Sequence, residues 1–265
     1  MNLQGTTALV TGATGGLGQA IARALRARGA SLVVSGRRAD VLEALAAEVG
    51  GRALAADLAD RADVERLVAE CGEVDVLVAN AGIPADGPVL EYMPEQLDRA
   101  LDVNLRAPLH LARALVEPMV ARGAGHVVFV SSLSGKVATA NSGLYSATKF
   151  GLRGFASGLR QDLAGTGVGV SCLFPGPIRE AGMFHDSGVR MPRVAGTRAP
   201  DDVGAAAVRA IERDVGEIDV ASPPSRAWGV LGQVSPRLMA WLNARFGGTE
   251  IAAAISGSEA HRSKR

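Results

Sequence analysis

Aromatic residues are scarce in this chain: phenylalanine, tryptophan and tyrosine make up 4% of it, against 48% hydrophobic residues in all. Its core therefore has to be aliphatic, packed from alanine, valine and leucine, with glycine where elements come close. Cysteine is nearly absent. Cys71 and Cys172 are the only two; they give no disulfide framework, and a reducing, cytoplasmic setting is the simpler reading. Charge of one sign is missing as well. A net charge of +1 provides no basic face to neutralise phosphates, so nucleic acid is not an expected partner. No apolar run approaches the roughly 20 residues of a spanning helix, and Met1–Gly5 lacks the charged start of a signal peptide. No His/Cys/Asp cluster has metal-ligand spacing, so no metal site is expected. Lysine is rare too: Lys136, Lys149 and Lys264 are the only three among 28 basic residues. Wherever one occurs, arginine has been passed over.

What is present is a steady alternation. Short β-rich runs (Thr7–Thr11, Ser31–Ser35, Arg52–Ala56, Val74–Ala79, His126–Ser131, Gly169–Phe174 and Ile218–Ala221) are separated by helical patterns. The helices are expected near Gln19–Arg28, Ala39–Val49, Ala62–Cys71, Pro94–Arg122, Tyr145–Ala164 and Asp201–Asp214. Several strands read as unbroken aliphatic stretches, as in sheets covered on both faces. The alternation predicts an α/β fold, a doubly wound parallel β-sheet with helices on both faces, in a single domain over residues 1–265. Residues 175–200 break the rhythm with prolines and glycines and fall where a lid over a strand-end crevice would sit, although a plain surface loop would have the same composition. Residues 256–265 are polar and expected to fray.

Directly after the first run comes Thr11-Gly12-Ala13-Thr14-Gly15-Gly16-Leu17-Gly18. Glycines 12, 16 and 18 permit a tight turn and close backbone approach, and the helix that follows turns its positive end to a pyrophosphate. The spacing is not the commonest G-x-G-x-x-G, and glycine-rich turns that bind nothing exist. Its position at the opening of the first βαβ unit favours a dinucleotide site of Rossmann type. The second run ends in Arg37-Arg38, where an acid that grips the adenosine ribose is usual. A guanidinium there suits a 2′-phosphate, so NADP(H) is expected in preference to NAD(H), although two solvated arginines opening a helix would read the same.

Tyr145-Ser146-Ala147-Thr148-Lys149 sets a phenol and an ammonium four residues apart on one helix face. A positive charge ~5 Å away at an effective dielectric of ~20 would favour the phenolate by about 3 kcal/mol, roughly two pKa units. That brings tyrosine towards the range useful for acid–base catalysis. By itself such a pair is common and usually decorative.

With these motifs in order, the sequence resembles the short-chain dehydrogenase/reductase family, in its single-domain branch of about 250 residues. The resemblance covers about residues 5–222. Thr11–Gly18 corresponds to the family's glycine motif, Asp57-Leu58 to its adenine-contacting pair, and Asn80-Ala81-Gly82 to its signature after the fourth strand. Asn104 stands where the family has an asparagine, Ser132 precedes Tyr145 by thirteen residues, and Pro175-Gly176 follows the sixth strand. The resemblance implies hydride transfer between NADP(H) and a small ketone or secondary alcohol. Gly12, Thr14, Gly16, Leu17, Gly18, Arg37, Arg38, Asp57, Leu58, Asn80, Ala81, Gly82, Pro175 and Gly176 would contact the cofactor. Tyr145 would exchange the proton with substrate, Lys149 would lower its pKa and bond the nicotinamide ribose, Ser132 would hold the substrate oxygen, and Asn104 would anchor a water leading from Lys149 to solvent. One departure is Glu180, near where the family has a threonine; it is expected to point away or pair with Arg179. A catalytically silent cofactor-binding sensor or scaffold on the same fold is the rival, and the intact Asn104/Ser132/Tyr145/Lys149 set speaks against it.

Other features carry weaker readings. His126 and His185 read as a satisfied strand-end residue and a solvated loop residue, and His110 and His261 lie in a helix and in the tail. Gly151, Gly154 and Gly158 mark one stripe of the Tyr145 helix; the resemblance favours a subunit interface there, in a homodimer or homotetramer, over packing against the sheet. Residues 223–249 hold three arginines, no acid, both tryptophans and an apolar set (Leu231, Val234, Leu238, Leu242, Phe246) at roughly helical intervals. Such a stretch can lie on an anionic membrane. Because Pro236 interrupts it, the preferred expectation is that it folds onto the protein, over the cleft or at a subunit contact.

Overall fold

Val76-Leu77-Val78-Ala79 is buried at every position, which a strand achieves only when both faces of its sheet are covered. The computed structural model, which describes residues 1–189, 196–245, 253–254 and 256–258, shows how. Seven strands, β1 (Thr7–Val10), β2 (Ser31–Gly36), β3 (Arg52–Ala55), β4 (Val76–Ala79), β5 (Gly125–Val130), β6 (Val168–Pro175) and β7 (Glu217–Val220), form one sheet in the order β3-β2-β1-β4-β5-β6-β7. Every pairing is parallel. All the expected strands form, with ends within two residues of those read from the sequence. The expectations for Phe246, for His261 and for most of the tail 256–265 lie outside the described residues, as does part of the 175–200 segment.

Helices α1 (Gly16–Ala27), α2 (Ala39–Val49) and α8 (Pro200–Arg213) share one aliphatic core with the sheet, through Ile21, Leu25, Leu42, Val203 and Ile211. The opposite face is covered by α3 (Arg61–Glu70), α5 (Ala107–Arg122) and α6 (Gly143–Asp162), through Leu67, Leu111, Met119, Leu152 and Ala156. Phe129 and Phe174 are fully buried, and Phe129 meets Phe155 edge-on at 5.7 Å. The result is a single-domain α/β Rossmann fold.

The one long helix expected over Pro94–Arg122 is instead α4 (Pro94–Leu101), a π-helical turn (Asp102–Arg106) and α5. Pro108 explains the interruption: it has no N–H to give the carbonyl of Asn104, four residues back, so the regular ladder cannot run through. After β6 come α7 (Met183–Asp186), α8 and β7, then α9 (Pro223–Val234) and α10 (Pro236–Arg245), divided at Pro236 as its backbone chemistry requires.

His126, in β5, is 1% exposed, and its Nε2 lies 2.8 Å from Ser171 Oγ. Ser171 donates its only proton to the Val215 carbonyl at 2.7 Å, so the imidazole is the donor and is neutral. Burial pulls its pKa from 6.5 down to about 4, against the attraction of Asp214. Between those values the unfolded chain binds a proton that the folded protein refuses, so stability falls as pH falls through the window. From pH 7 to pH 5 the wild type is expected to lose about 2 kcal/mol more than His126→Gln. Urea unfolding at the two pH values checks this, and parallel losses would show that His126 is not the titrating group.

Candidate active site

Strand order reverses between β1 and β4, and the loops leaving the carboxyl ends of β1, β4, β5 and β6 diverge there. In open α/β sheets that crevice is where ligands bind. The ends of β1 and β4 are laced together. Thr11 Oγ1 accepts from the backbone N–H groups of Asn80 (3.1 Å) and Ala81 (3.2 Å), and Asn80 Nδ2 donates to the Thr11 carbonyl at 2.9 Å. Gly12 has φ +63°, and a Cβ on it would fall 2.6 Å from Ala81 Cα; the turn and the Asn80-Ala81-Gly82 segment are one packed unit.

The start of α1 fits an anionic ligand. Its N-cap Gly15 supplies no side-chain cap and its first turn contains no acid, so the N–H groups of Gly16, Leu17 and Gly18 and the positive helix end face the crevice with no carboxylate competing for them. This cradle suits the pyrophosphate of a dinucleotide. Beside it, Arg37 and Arg38 are exposed at the end of β2. Arg38 Nη2 donates to the Thr14 carbonyl, so its guanidinium braces the glycine turn. Asp57 pairs with Arg99 at 3.0 Å. Burial raises its carboxyl pKa, but the Ala59 N–H, Arg99 and Arg37 outweigh that and hold it below its ordinary value. Leu58 is buried.

Ser132, Tyr145 and Lys149 gather across the crevice. Ser132 follows β5; its hydroxyl accepts from the Ser134 N–H at 3.1 Å, and its interaction with the Tyr145 phenol favours the phenolate. Tyr145 and Lys149 occupy the first turns of α6, with Nζ 5.6 Å from the centre of the phenol ring. Lys149 is 2% exposed, and its Nζ donates to the Val130 carbonyl at 3.1 Å. Ser131 Oγ donates to the Lys149 carbonyl at 3.0 Å, and the Tyr145 N–H to the Ala85 carbonyl at 3.1 Å, so both ends of this helical turn are pinned to the segments that follow β5 and β4. Gly82 faces Asn104 Oδ1 and Lys149 Nζ; a Cβ there would lie 3.4 and 3.6 Å from them. Asn104 uses both side-chain atoms on Ile83, accepting from its N–H at 2.7 Å and donating to its carbonyl at 3.0 Å.

The electrostatics correct one expectation. The Tyr145–Lys149 spacing predicts a phenol pKa below the ordinary value, whereas burial, with the Asp86 carboxylate adding to it, pushes the phenol above that value, and the Ser132 hydroxyl recovers only part. The ammonium cannot act as an exposed point charge would, because burial also lowers the Lys149 pKa from 10.5 to about 8. Both groups are held in their protonated forms at neutral pH.

The segment after β6 closes one side of the cleft. Pro175, Gly176, Ile178, Ala181, Met183 and Phe184 line it, and Ala181 Cβ sits over Gly16, 2.3 Å from where a Cβ would be. Glu180 pairs with Arg179 at 2.8 Å, both exposed, and is not among the lining residues. Sequence reasoning missed three contributors. Asp86 borders the cleft beside Tyr145. Arg99 anchors Asp57. Lys136 bridges Asp219 (2.6 Å) and Glu217 (3.2 Å) and lies 4.0 Å from the Phe174 ring centre, tying the loop after Ser132 to β7. The rarity of lysine was the one available signal for Lys136; nothing local marked the other two.

Comparison with known proteins agrees with this geometry. The model of the short chain dehydrogenase family matches residues 6–190. The chain belongs to that family. The ketoacyl reductase HetN of Nostoc sp. (strain PCC 7120) is 36% identical over 248 residues, covering 88% of this chain and 86% of the relative. The 3-oxoacyl-[acyl-carrier-protein] reductase FabG of Escherichia coli (strain K12) is 34% identical over 184 residues, 67% of this chain and 75% of FabG. A short-chain dehydrogenase from Sphingobium yanoikuyae solved with NADPH superposes with a TM-score of 0.77 at 27% identity, over 88% of this chain and 95% of that one. A 3-ketoacyl-(acyl-carrier-protein) reductase from Brucella melitensis solved with NADH gives 0.76 at 29%, over 84% and 99%. This chain is thus an oxidoreductase of the short-chain dehydrogenase family, two of whose solved neighbours hold NADPH and NADH. Among the described residues, no helix is long and apolar enough to cross a membrane.

Proposed function

We propose that the protein is an NADP(H)-dependent oxidoreductase that transfers a hydride between cofactor and a ketone or secondary alcohol. The observation that carries this is the convergence of Ser132, Tyr145 and Lys149 on one cleft beside the glycine turn. The ketoacyl reductases among the relatives support a carbonyl substrate. The cofactor, when bound, supplies the hydride; the chain supplies position and proton. The turn from Gly12 through Thr14, Gly16 and Leu17 to Gly18 would hold the pyrophosphate. Asp57 and Leu58 would meet the adenine, and Asn80, Ala81, Gly82, Pro175 and Gly176 the nicotinamide half, with Tyr145 and Lys149 at its ribose.

In reduction, the Ser132 hydroxyl holds the substrate oxygen and Tyr145 donates its proton to it. A phenol with a raised pKa is present in full in the donor form. The phenolate left behind is stabilised by the Lys149 ammonium, which can return a proton to it. Asn104, whose carbonyl cannot bond the residue four on because that residue is Pro108, would anchor a water on the route by which Lys149 is reprotonated. The protein acts in the cytoplasm as a homodimer or homotetramer. Gly154 and Gly158 of α6 have nothing within 4 Å of a built Cβ, whereas Gly151 rests on Leu105; the bare outer stripe suits a second copy.

Tyr145→Phe keeps the ring and removes the donor. It should lower the turnover of a ketone panel followed by NADPH absorbance by about 10²-fold or more, with cofactor affinity little changed. More than about a tenth of the wild-type rate would remove Tyr145 as the proton donor.

The coenzyme preference rests on Arg37. A charge-assisted contact to the 2′-phosphate contributes about 1.5–3 kcal/mol, roughly 10- to 150-fold in affinity. NADPH should bind at least tenfold more tightly than NADH, less so at high salt, and Arg37→Asp should reverse the order. Titration of both cofactors against both proteins decides; equal wild-type affinities, or a ratio unmoved by the substitution, would leave Arg37 a solvated residue.

A further inference from the structure

The last two described helices bury one face and leave the other bare. On the inner side, Gly229 and Gly232 of α9 are buried. A Cβ on Gly232 would fall 2.4 Å from Val137 Cγ2, and one on Gly229 would lie 3.6 Å from Leu133. Met239 of α10 is 1% exposed and reaches the same glycine, 3.7 Å from the Cβ position of Gly232. Helix α9 therefore sits on the loop that carries Ser132 and α10 packs against α9; Leu133, which meets α9, also lines the cleft. The preferred expectation that this segment folds onto the protein describes its inner face.

The outer face has a different composition. Val230, Val234, Leu238 and Trp241 are 55%, 78%, 43% and 59% exposed. On α9, Arg226, Val230 and Val234 recur every four residues and are exposed; on α10, Arg237, Trp241 and Arg245 do the same. No aspartate or glutamate occurs from Pro223 to Thr249. A monomer surface normally intersperses both signs of charge and scatters its apolar residues singly. Within residues 223–245, an apolar row containing a tryptophan has exposed arginines such as Arg226 and Arg237 on it and no acid of the same segment.

We propose that the outer face of α9 and α10 docks on the surface of an anionic lipid bilayer. The apolar row would enter the headgroup boundary and the arginines would meet lipid phosphates, the division of labour found in helices that lie in a membrane interface. Charge selects this occupant over a second copy of the chain. A two-fold contact of this face with itself would set arginines against arginines with no acid between them. Docking requires no rearrangement, since the inner face stays packed on Leu133 and Val137. It would hold the cleft one helix diameter, ~10 Å, from the bilayer surface. Given the carbonyl chemistry proposed above, on which this clause alone depends, the substrate would then be an apolar ketone or alcohol carried in the membrane.

The test uses the full chain and vesicles of phosphatidylcholine with and without phosphatidylglycerol, separated by flotation at low and high salt. The protein should float with phosphatidylglycerol vesicles at low salt and be released as salt rises. The emission of Trp241 should move to shorter wavelength on binding, a shift absent in Trp241→Phe. Val234→Asp, at an exposed position that folding does not need, should abolish flotation, and Arg237→Glu should reduce the bound fraction roughly tenfold or more. Turnover of a water-soluble ketone should be unchanged in both, and because flotation needs no turnover, it can fail or succeed whatever the activity. Failure to float with either vesicle at low salt, or flotation indifferent to Val234→Asp, would overturn the proposal. So would a Val234→Asp variant whose mass by light scattering is lower than that of a wild type that does not float, which would assign the face to a subunit contact.

Discussion

Lys149 carries its ammonium at the carboxyl edge of the sheet, 2% exposed, with the Val130 carbonyl as its hydrogen-bond acceptor. Burying a charge in this way is unfavourable. The fall of its pKa from 10.5 to about 8 corresponds to about 3 kcal/mol. The surrounding structure keeps the charge there. Ser131 fixes the main chain of Lys149, Ala85 fixes that of Tyr145, and Gly82 leaves room for the amine. An aliphatic core on both faces of the sheet provides a rigid edge from which the strand ends project. On the proposed reading, a buried amine beside a half-buried phenol would make a proton donor whose conjugate base has a partner waiting for it, with the glycine turn placing the cofactor that uses the proton.

The same reasoning shows what the sequence discloses and what it withholds. Aliphatic runs such as Val76–Ala79 declare their strands because a parallel sheet buries both faces, and the glycine turn declares itself because positive φ and backbone contact admit little else. Ser132, Tyr145 and Lys149 were legible as a set through family resemblance, and their spacing placed the last two on one helix face. Spacing alone gave the wrong sign for the tyrosine pKa, since it contains distance and charge but not desolvation. Burial depends on Asp86, Ser132 and the strand ends that enclose the pair, and these are distant in sequence. The helix break at Asn104 could have been read from Pro108, four residues on. Lys136, Arg99 and Asp86 could not be assigned, because their partners are set by the sheet order rather than by local pattern.

Between the sheet edge at Lys149 and the exposed carboxy-terminal helices lies a gradient of constraint. Near Lys149 each residue has several partners, and little can change without breaking a hydrogen bond. Through Leu133 and Val137 that edge touches α9, whose inner face is fixed by two glycines. Its outer face is bound by no such requirement, and it is there that a particular member of a family can acquire a location or a substrate of its own. Lys136, Asp219, Glu217 and Arg153 join the two regions: Arg153 pairs with Glu217 and bonds Gln233 of α9, both at 2.7 Å, so events at the outer helices are mechanically connected to the loop that carries Ser132.

The scarcity of lysine makes the central claim directly measurable. With three lysines in the chain, isotopic labelling of the side-chain ε carbon gives an NMR spectrum of three signals. One of them should titrate at about 8 and be missing from Lys149→Met. If every signal instead titrates near the ordinary lysine value of ~10.4, the ammonium of Lys149 is not buried as described, and the account of the proton donor fails with it.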